Sequence, residues 1–254
     1  MTNGNSYFAG ILPNLQNNEE FFEQIASDKH LSRRLLKMII LFSAFTFFYG
    51  VVMGSYSGAL QAVTAGAKVP VLFFLSLLIC FPAFFLLQFI LGSRMRLAQM
   101  TAIILAGFVL TGAIMVSFTP IVLFFVLTGG NYHFLQLLHV AIFILSGAFG
   151  MKMVLDALKY SCEQKNVYPQ TGVVVFRFWV VILAFVGVQL AWNLRPFLAD
   201  KDEPYALFRT YEGNFYAAVI YSIEQLTRPA ENSARSPKPV DQPFVPIDST
   251  YRVK

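Results

Sequence analysis

The sequence predicts an all-α fold: a polytopic membrane helix bundle of five transmembrane helices, with short amphipathic helices at both ends. Composition is the first reason. Apolar residues make up 56% of the 254 residues and charged residues only 13%, against roughly 25% charged in an ordinary soluble domain. Mean hydropathy is correspondingly high, at +0.59. The second reason is that the apolar residues form blocks. Their lengths match the ~20 residues a helix needs to cross a hydrocarbon layer ~30 Å thick. Four regions follow: a cytoplasmic amino-terminal segment (1–36), the five-helix domain (37–193), an extracytoplasmic membrane-surface segment (194–228) and a disordered tail (229–254).

The amino-terminal region lacks the basic start and short apolar core of a cleavable signal peptide. The first span is therefore expected to serve as its own signal anchor. Residues 1–14 are rich in Asn and Gly and read as irregular. A helix is expected over 17–36. Asn17 or Asn18 would cap it, and Glu19, Glu20 and Glu23 would favour its positive end. Its intermittent apolar face (Phe21, Phe22, Ile25, Leu31, Leu35) suits a helix on the membrane surface; a solvated linker helix is the alternative.

The spans are expected at 37–58, 69–92, 98–127, 134–158 and 173–192. Pro70 opens the second, and Pro82 lies within it. The third is long enough to kink at Pro120, and the tight connection at 129–133 makes the third and fourth an antiparallel hairpin. The spans carry no internal repeat, which argues against an inverted-repeat transporter.

Orientation follows from Lys and Arg near the span ends. Lys29, Arg33, Arg34 and Lys37 precede span one, Arg94 and Arg96 follow span two, and Lys159 and Lys165 follow span four. The opposite side offers Lys68 in the first loop, none in the third, and Arg195, Lys201 and Arg209 after span five. The amino end is thus expected in the cytoplasm and the carboxyl end outside it. Beyond span five, Phe215, Val219, Ile223 and Leu226 form a helical apolar stripe with Asn214 as cap. That pattern suits a short helix on the outer membrane surface or folded over the bundle. The Pro-rich polar residues after Arg228 read as disordered.

The sharpest local motif is Gly50, Gly54 and Gly58, extended by Ala62 and Gly66. Small residues four apart share a helix face and admit a second backbone closely. The partner is either another span of the same bundle or a second protein. Asp156 and Arg177, at comparable depth in spans four and five, are a candidate structural ion pair, with an ion or proton site as the functional alternative. His133, Gln136 and His139 follow at three-residue intervals. Two histidines six apart with no nearby carboxylate make a poor metal set, and His139 is expected to hydrogen-bond a neighbouring helix. Cys80 and Cys162 fall at different depths without zinc-like spacing. No catalytic motif, metal site or cofactor is expected, and the basic residues form no nucleic-acid patch.

The five closely spaced helices after a cytoplasmic segment, with Leu91-Gly92-Ser93-Arg94 and Gln99 opening the third, resemble the Yip family of five-pass membrane proteins over residues 38–192. The Asp-Leu-x-Gly-Pro-type segment of eukaryotic members is missing, which argues against Rab-linked trafficking. Residues 192–197 (Trp-Asn-Leu-Arg-Pro-Phe), Phe208-Arg209 and residues 212–216 (Glu-Gly-Asn-Phe-Tyr) resemble a signature of uncharacterised bacterial multi-pass proteins. That resemblance implies the bacterial inner membrane. It makes Arg195, Pro196, Phe197, Asn214, Phe215 and Tyr216 the candidate partner contacts. The expected partners are the lipid bilayer and a membrane protein or second copy of the chain. A non-enzymatic scaffold or accessory subunit is the leading expectation, and a small oligomeric channel or transporter the alternative.

Overall fold

Hydrocarbon offers a backbone no hydrogen-bonding partners, so an apolar block long enough to cross it must satisfy its own N–H and C=O groups as a helix. In the structure, a computed structural model, residues 31–163, 170–198, 207–208 and 214–227 are described. The expected helix at 17–36 lies outside them as far as His30, as does the tail after Thr227. Seven helices occur among the described residues: α1 Leu31–Gly54, α2 Ala59–Ile90, α3 Leu97–Ser117, α4 Thr119–Leu127, α5 Tyr132–Glu163, α6 Gln170–Leu194 and α7 Phe215–Thr227. No strand occurs among the described residues. Among the described residues, five helical stretches are long and apolar enough to span a membrane, with α3 and α4 together counting as one.

Successive spans alternate in direction and give the bundle two ends. One carries the α1–α2 turn, the α4–α5 turn and the exit from α6; we call it the Gly58 end. The other carries the start of α1 and the α2–α3 connection; we call it the Arg94 end.

Local chemistry explains the breaks. Pro120, in the first turn of α4, has no N–H to give, and its ring crowds the carbonyl of Val116. The third span therefore divides at Phe118, whose N–H bonds back to Ile114 and Met115 at 3.2 and 3.1 Å. The α4–α5 turn uses Gly129 at φ 80°, with Gly130 N–H donating to Phe125 O at 2.8 Å. That six-residue closure requires a left-handed residue, which glycine adopts without penalty. At the start of α3, the Gln99 side chain accepts the Arg96 N–H at 3.0 Å.

The second span starts earlier than the sequence suggests. It begins at Ala59 rather than near residue 69, so Pro70 lies well inside a 32-residue helix. Pro70 resembles a first-turn proline, but the small residues before it form helix because they lie against α1.

The spans close into a ring. α1 packs on α2 and α3, α3 on α5, α5 on α6, and α6 on α2, while α4 leans on α1 and α5. α3 is the most enclosed, with every residue from 102 to 109 buried. Two clusters fill the interior. Phe42, Phe84, Phe108, Phe176 and Trp179 belong to the larger; Tyr49, Val69, Met115, Val122, Leu135 and Ile142 lie toward the Gly58 end. Ring pairs such as Phe84–Trp179 (4.6 Å) and the edge-on Phe42–Phe73 (5.3 Å) link neighbouring helices. Large apolar side chains such as Leu78, Ile90, Phe178 and Val181 remain exposed around the outside, as hydrocarbon contact requires.

Candidate functional site

The small-residue motif divides into two uses. Gly50 and Gly54 are buried on α1 and face α2 across a very close seam. A Cβ on Gly50 would lie 2.7 Å from Ala65 O and 2.8 Å from Gly66 Cα; on Gly54 it would lie 2.5 Å from Gln61 O. Gly58 is not part of this face. It is exposed, has φ 131°, and caps the start of α2 with nothing within 4 Å of an added Cβ. Its turn reverses the chain and brings Ala62, Ala65 and Gly66 back against Gly50 and Gly54. A second seam joins Gly107 of α3 to Gly150 of α5, where a Cβ on Gly150 would meet Gly107 O at 2.5 Å.

Buried polar side chains tie the helices together. Tyr49 Oη and His139 Nδ1 share a 2.7 Å hydrogen bond between α1 and α5, and both residues are buried. Gln88 Nε2 donates to Gly172 O at 3.1 Å, and Trp179 Nε1 to Cys80 O at 3.0 Å, joining α2 to α6 twice.

The structure does not bring Asp156 and Arg177 together. Asp156 is half-buried, Arg177 is exposed, and no hydrogen bond or ion pair joins them. Depth along the spans was the basis for pairing them, but azimuth decides. α6 turns Val173, Phe176 and Trp179 inward and packs chiefly along α2. Arg177, one residue beyond Phe176, therefore points outward.

The Gly58 end carries the most elaborate polar cluster. Its centre is Lys68, which is only 7% exposed. Its Nζ donates to Pro196 O at 3.2 Å and to Leu207 O. The ammonium also lies 4.9 Å from the Phe208 ring centre and 5.9 Å from that of Phe197, positions favoured by the negative face of an aromatic ring. Gln61, seven residues earlier on the same face of α2, donates to Pro196 O at 2.7 Å. Arg195 lies over the Trp192 ring at 3.6 Å. Pro196 and Leu198 are buried and Phe197 is half-buried, whereas Leu207 and Phe208 are exposed. Residues 195–198 and 207–208 thus form a strap across the Gly58 end.

The remaining candidates fall on α7. Asn214 Oδ1 accepts the Ala217 N–H at 2.8 Å and so caps the helix. Phe215 is half-buried and Tyr216 exposed. Ser222 is buried and bonds to His133 Nδ1 and Gln136 Oε1 of α5, both at 3.2 Å. Of the three polar residues spaced along α5, two therefore hold α7 and the third, His139, holds α1. No group of three His, Cys, Asp or Glu side chains that might hold a metal occurs among the described residues.

Sequence reasoning missed Lys68, counted only as a loop charge. Its signal was the seven-residue spacing from Gln61, which puts both side chains on one helix face. Tyr49 was missed because one tyrosine in an apolar run carries no periodic signal. Comparison with family models, curated proteins and solved structures finds no match to this chain.

Proposed function

We propose that this chain is a non-enzymatic integral membrane scaffold or accessory subunit. It binds a membrane protein partner, or a second copy of itself, through the strap at the Gly58 end. The observation that carries this reading is the burial of Lys68 beneath residues 196–197 and 207–208. Two backbone carbonyls and two phenyl rings hold its ammonium, and Leu207 and Phe208 are presented at the surface. A charge buried at this cost serves to specify one arrangement of the segment above it. Arg195, Pro196 and Phe197 belong to the same strap. Asn214, Phe215 and Tyr216 open the neighbouring helix.

We place the protein in the bacterial inner membrane with the Arg94 end in the cytoplasm. The exposed Arg33, Lys37, Arg94 and Arg96 all lie at that end. Lys68, the contrary charge in the first loop, is engaged inside the protein, which leaves Arg195, Lys201 and Arg209 after the fifth span as the charges against this orientation. The Yip-like five-pass layout and the bacterial signature are consistent with this placement.

The test is photo-crosslinking in native membranes from position 208, with position 178 on the lipid-facing side of α6 as control. A discrete protein adduct from 208, lost in Lys68→Met, is expected. The absence of any adduct from 208 would defeat the reading. The alternative, a small oligomeric channel or transporter, draws on His139 within the bundle and on Gln189, exposed on α6. Solute flux in proteoliposomes that is abolished by His139→Ala or Gln189→Ala would establish it instead.

A further inference from the structure

The helix α7 is amphipathic in an unexpected sense. A surface helix packed on a protein core usually turns its apolar stripe inward and its polar residues out. In α7 the residue most deeply buried against the bundle is polar. Ser222 is 1% exposed, flanked on its face by the half-buried Phe215, Ala218 and Gln225. Tyr216, Ile220 and Ile223 are exposed. Their i, i+4, i+7 spacing makes one narrow stripe, roughly 140° around the helix from the docked face at 3.6 residues per turn.

The docked face fixes the depth of α7. Ser222 Oγ donates to Gln136 Oε1 and bonds to His133 Nδ1, and the Tyr221 ring lies edge-on to His133 at 5.5 Å. His133 and Gln136 lie in the opening turns of α5, where the fourth span begins. Ser222 is therefore level with the end of a span, where a bilayer crossed by these helices would pass from hydrocarbon to headgroups. α7 has 13 residues, about 20 Å at 1.5 Å per residue, too short to cross a ~30 Å layer. Tyr216 and Tyr221 are the residue type enriched at that boundary.

We propose that α7 is an interfacial anchor, docked to α5 through Ser222, with Tyr216, Ile220 and Ile223 seated in the headgroup–acyl boundary of the bilayer. The occupant of the stripe is lipid because α5 holds the helix level with the end of the fourth span, where lipid begins. A helix seated this way buries its apolar face ~5–10 Å into the boundary. The inference rests on the membrane placement of the five spans and is independent of the partner assigned to the strap.

The experiment uses the full chain, purified and reconstituted in phosphatidylethanolamine–phosphatidylglycerol vesicles, with Cys80 and Cys162 replaced by Ala. A polarity-sensitive fluorophore is attached through Ile223→Cys in the stripe, or through the exposed Ala217→Cys, about 120° around the helix from it at 3.6 residues per turn. The label at 223 should emit to the blue of that at 217. It should be quenched by lipids spin-labelled near the headgroup and resist aqueous iodide, while the label at 217 shows the reverse. Equal iodide quenching at the two sites would mean that the stripe faces water and overturns the proposal. Protection of the 223 label from both quenchers would mean that protein covers the stripe, and overturns it equally.

Discussion

Replacing Gly50 by alanine tests the close seam between α1 and α2. The new Cβ would lie 2.7 Å from Ala65 O, 2.8 Å from Gly66 Cα and 3.0 Å from Ala65 C, all backbone atoms. No rotamer change relieves such contacts. Ordinary contact begins at 3.4 Å, so the helices must separate by most of an ångström. A gap of 0.5–1 Å already forfeits a quarter to a half of the dispersion energy along a seam, and overpacking of this kind costs about 1–3 kcal/mol. Alanine recovers about 0.5–1 kcal/mol by its helix propensity, leaving a net loss of about 1 kcal/mol at the midpoints of the two ranges. For a chain of this size that corresponds to roughly 2–4 °C in Tm, readable by circular dichroism in detergent. Gly147 supplies the control. It is also helical but has nothing within 4 Å of an added Cβ, so Gly147→Ala should hold or raise the Tm. A Gly50→Ala protein as stable as the parent would refute the seam. Loss of an oligomer with unchanged monomer stability would instead assign the glycine face to a second protein.

Three other perturbations have defined signs. Tyr49→Phe removes the only side-chain hydrogen bond of His139 among the described residues and should cost about 1–3 kcal/mol. Tyr49→Phe with His139→Leu should recover much of that in a thermal double-mutant cycle, and strict additivity would count against the pair. Lys68→Met keeps an apolar stem but leaves Pro196 O and Leu207 O without the ammonium. Limited proteolysis should then cut faster between α6 and α7, and an unchanged rate would argue against the strap. Asp156→Asn and Arg177→Gln should be additive to within about 0.5 kcal/mol, since no contact joins them; a larger coupling energy would restore the ion pair.

The five spans were legible because hydrocarbon thickness imposes a length and a composition that survive any tertiary arrangement. Pro120 and Gly129 were legible for a similar reason: a missing N–H and a left-handed turn act locally. The start of α2 was not. Glycine, alanine and a lysine before Pro70 read as a loop in isolation, and become helix because Gly50 and Gly54 let α2 approach within backbone contact. The Asp156–Arg177 pairing had depth but lacked azimuth, which depends on α6 lying chiefly along α2. On α7, Phe215 and Val219 turn partly inward while Ile223 and Leu226 are exposed. The stripe alone left open whether membrane or bundle takes it, because the Ser222 bonds to α5 that orient the helix carry no periodic signal.

Water drives no association between helices inside a bilayer, so close packing and specific hydrogen bonds must arrange them. The distribution of those contacts is uneven around the ring. Glycine seams join α1 to α2 and α3 to α5, while α6 is bonded to α2 through Gln88 and Trp179 and meets α5 only sparsely. The α5–α6 side is therefore where the ring has least to hold it. The chain after α6 compensates at the Gly58 end. Its strap is fastened to α2 by Gln61 and Lys68, and α7 is fastened to α5 by His133 and Gln136. The two neighbours of α6 are thereby linked through the segment that follows it. A polar residue buried on α7 is the expected choice for such a link, because a hydroxyl bridged by two side chains fixes one rotation of the helix where an apolar contact would allow several.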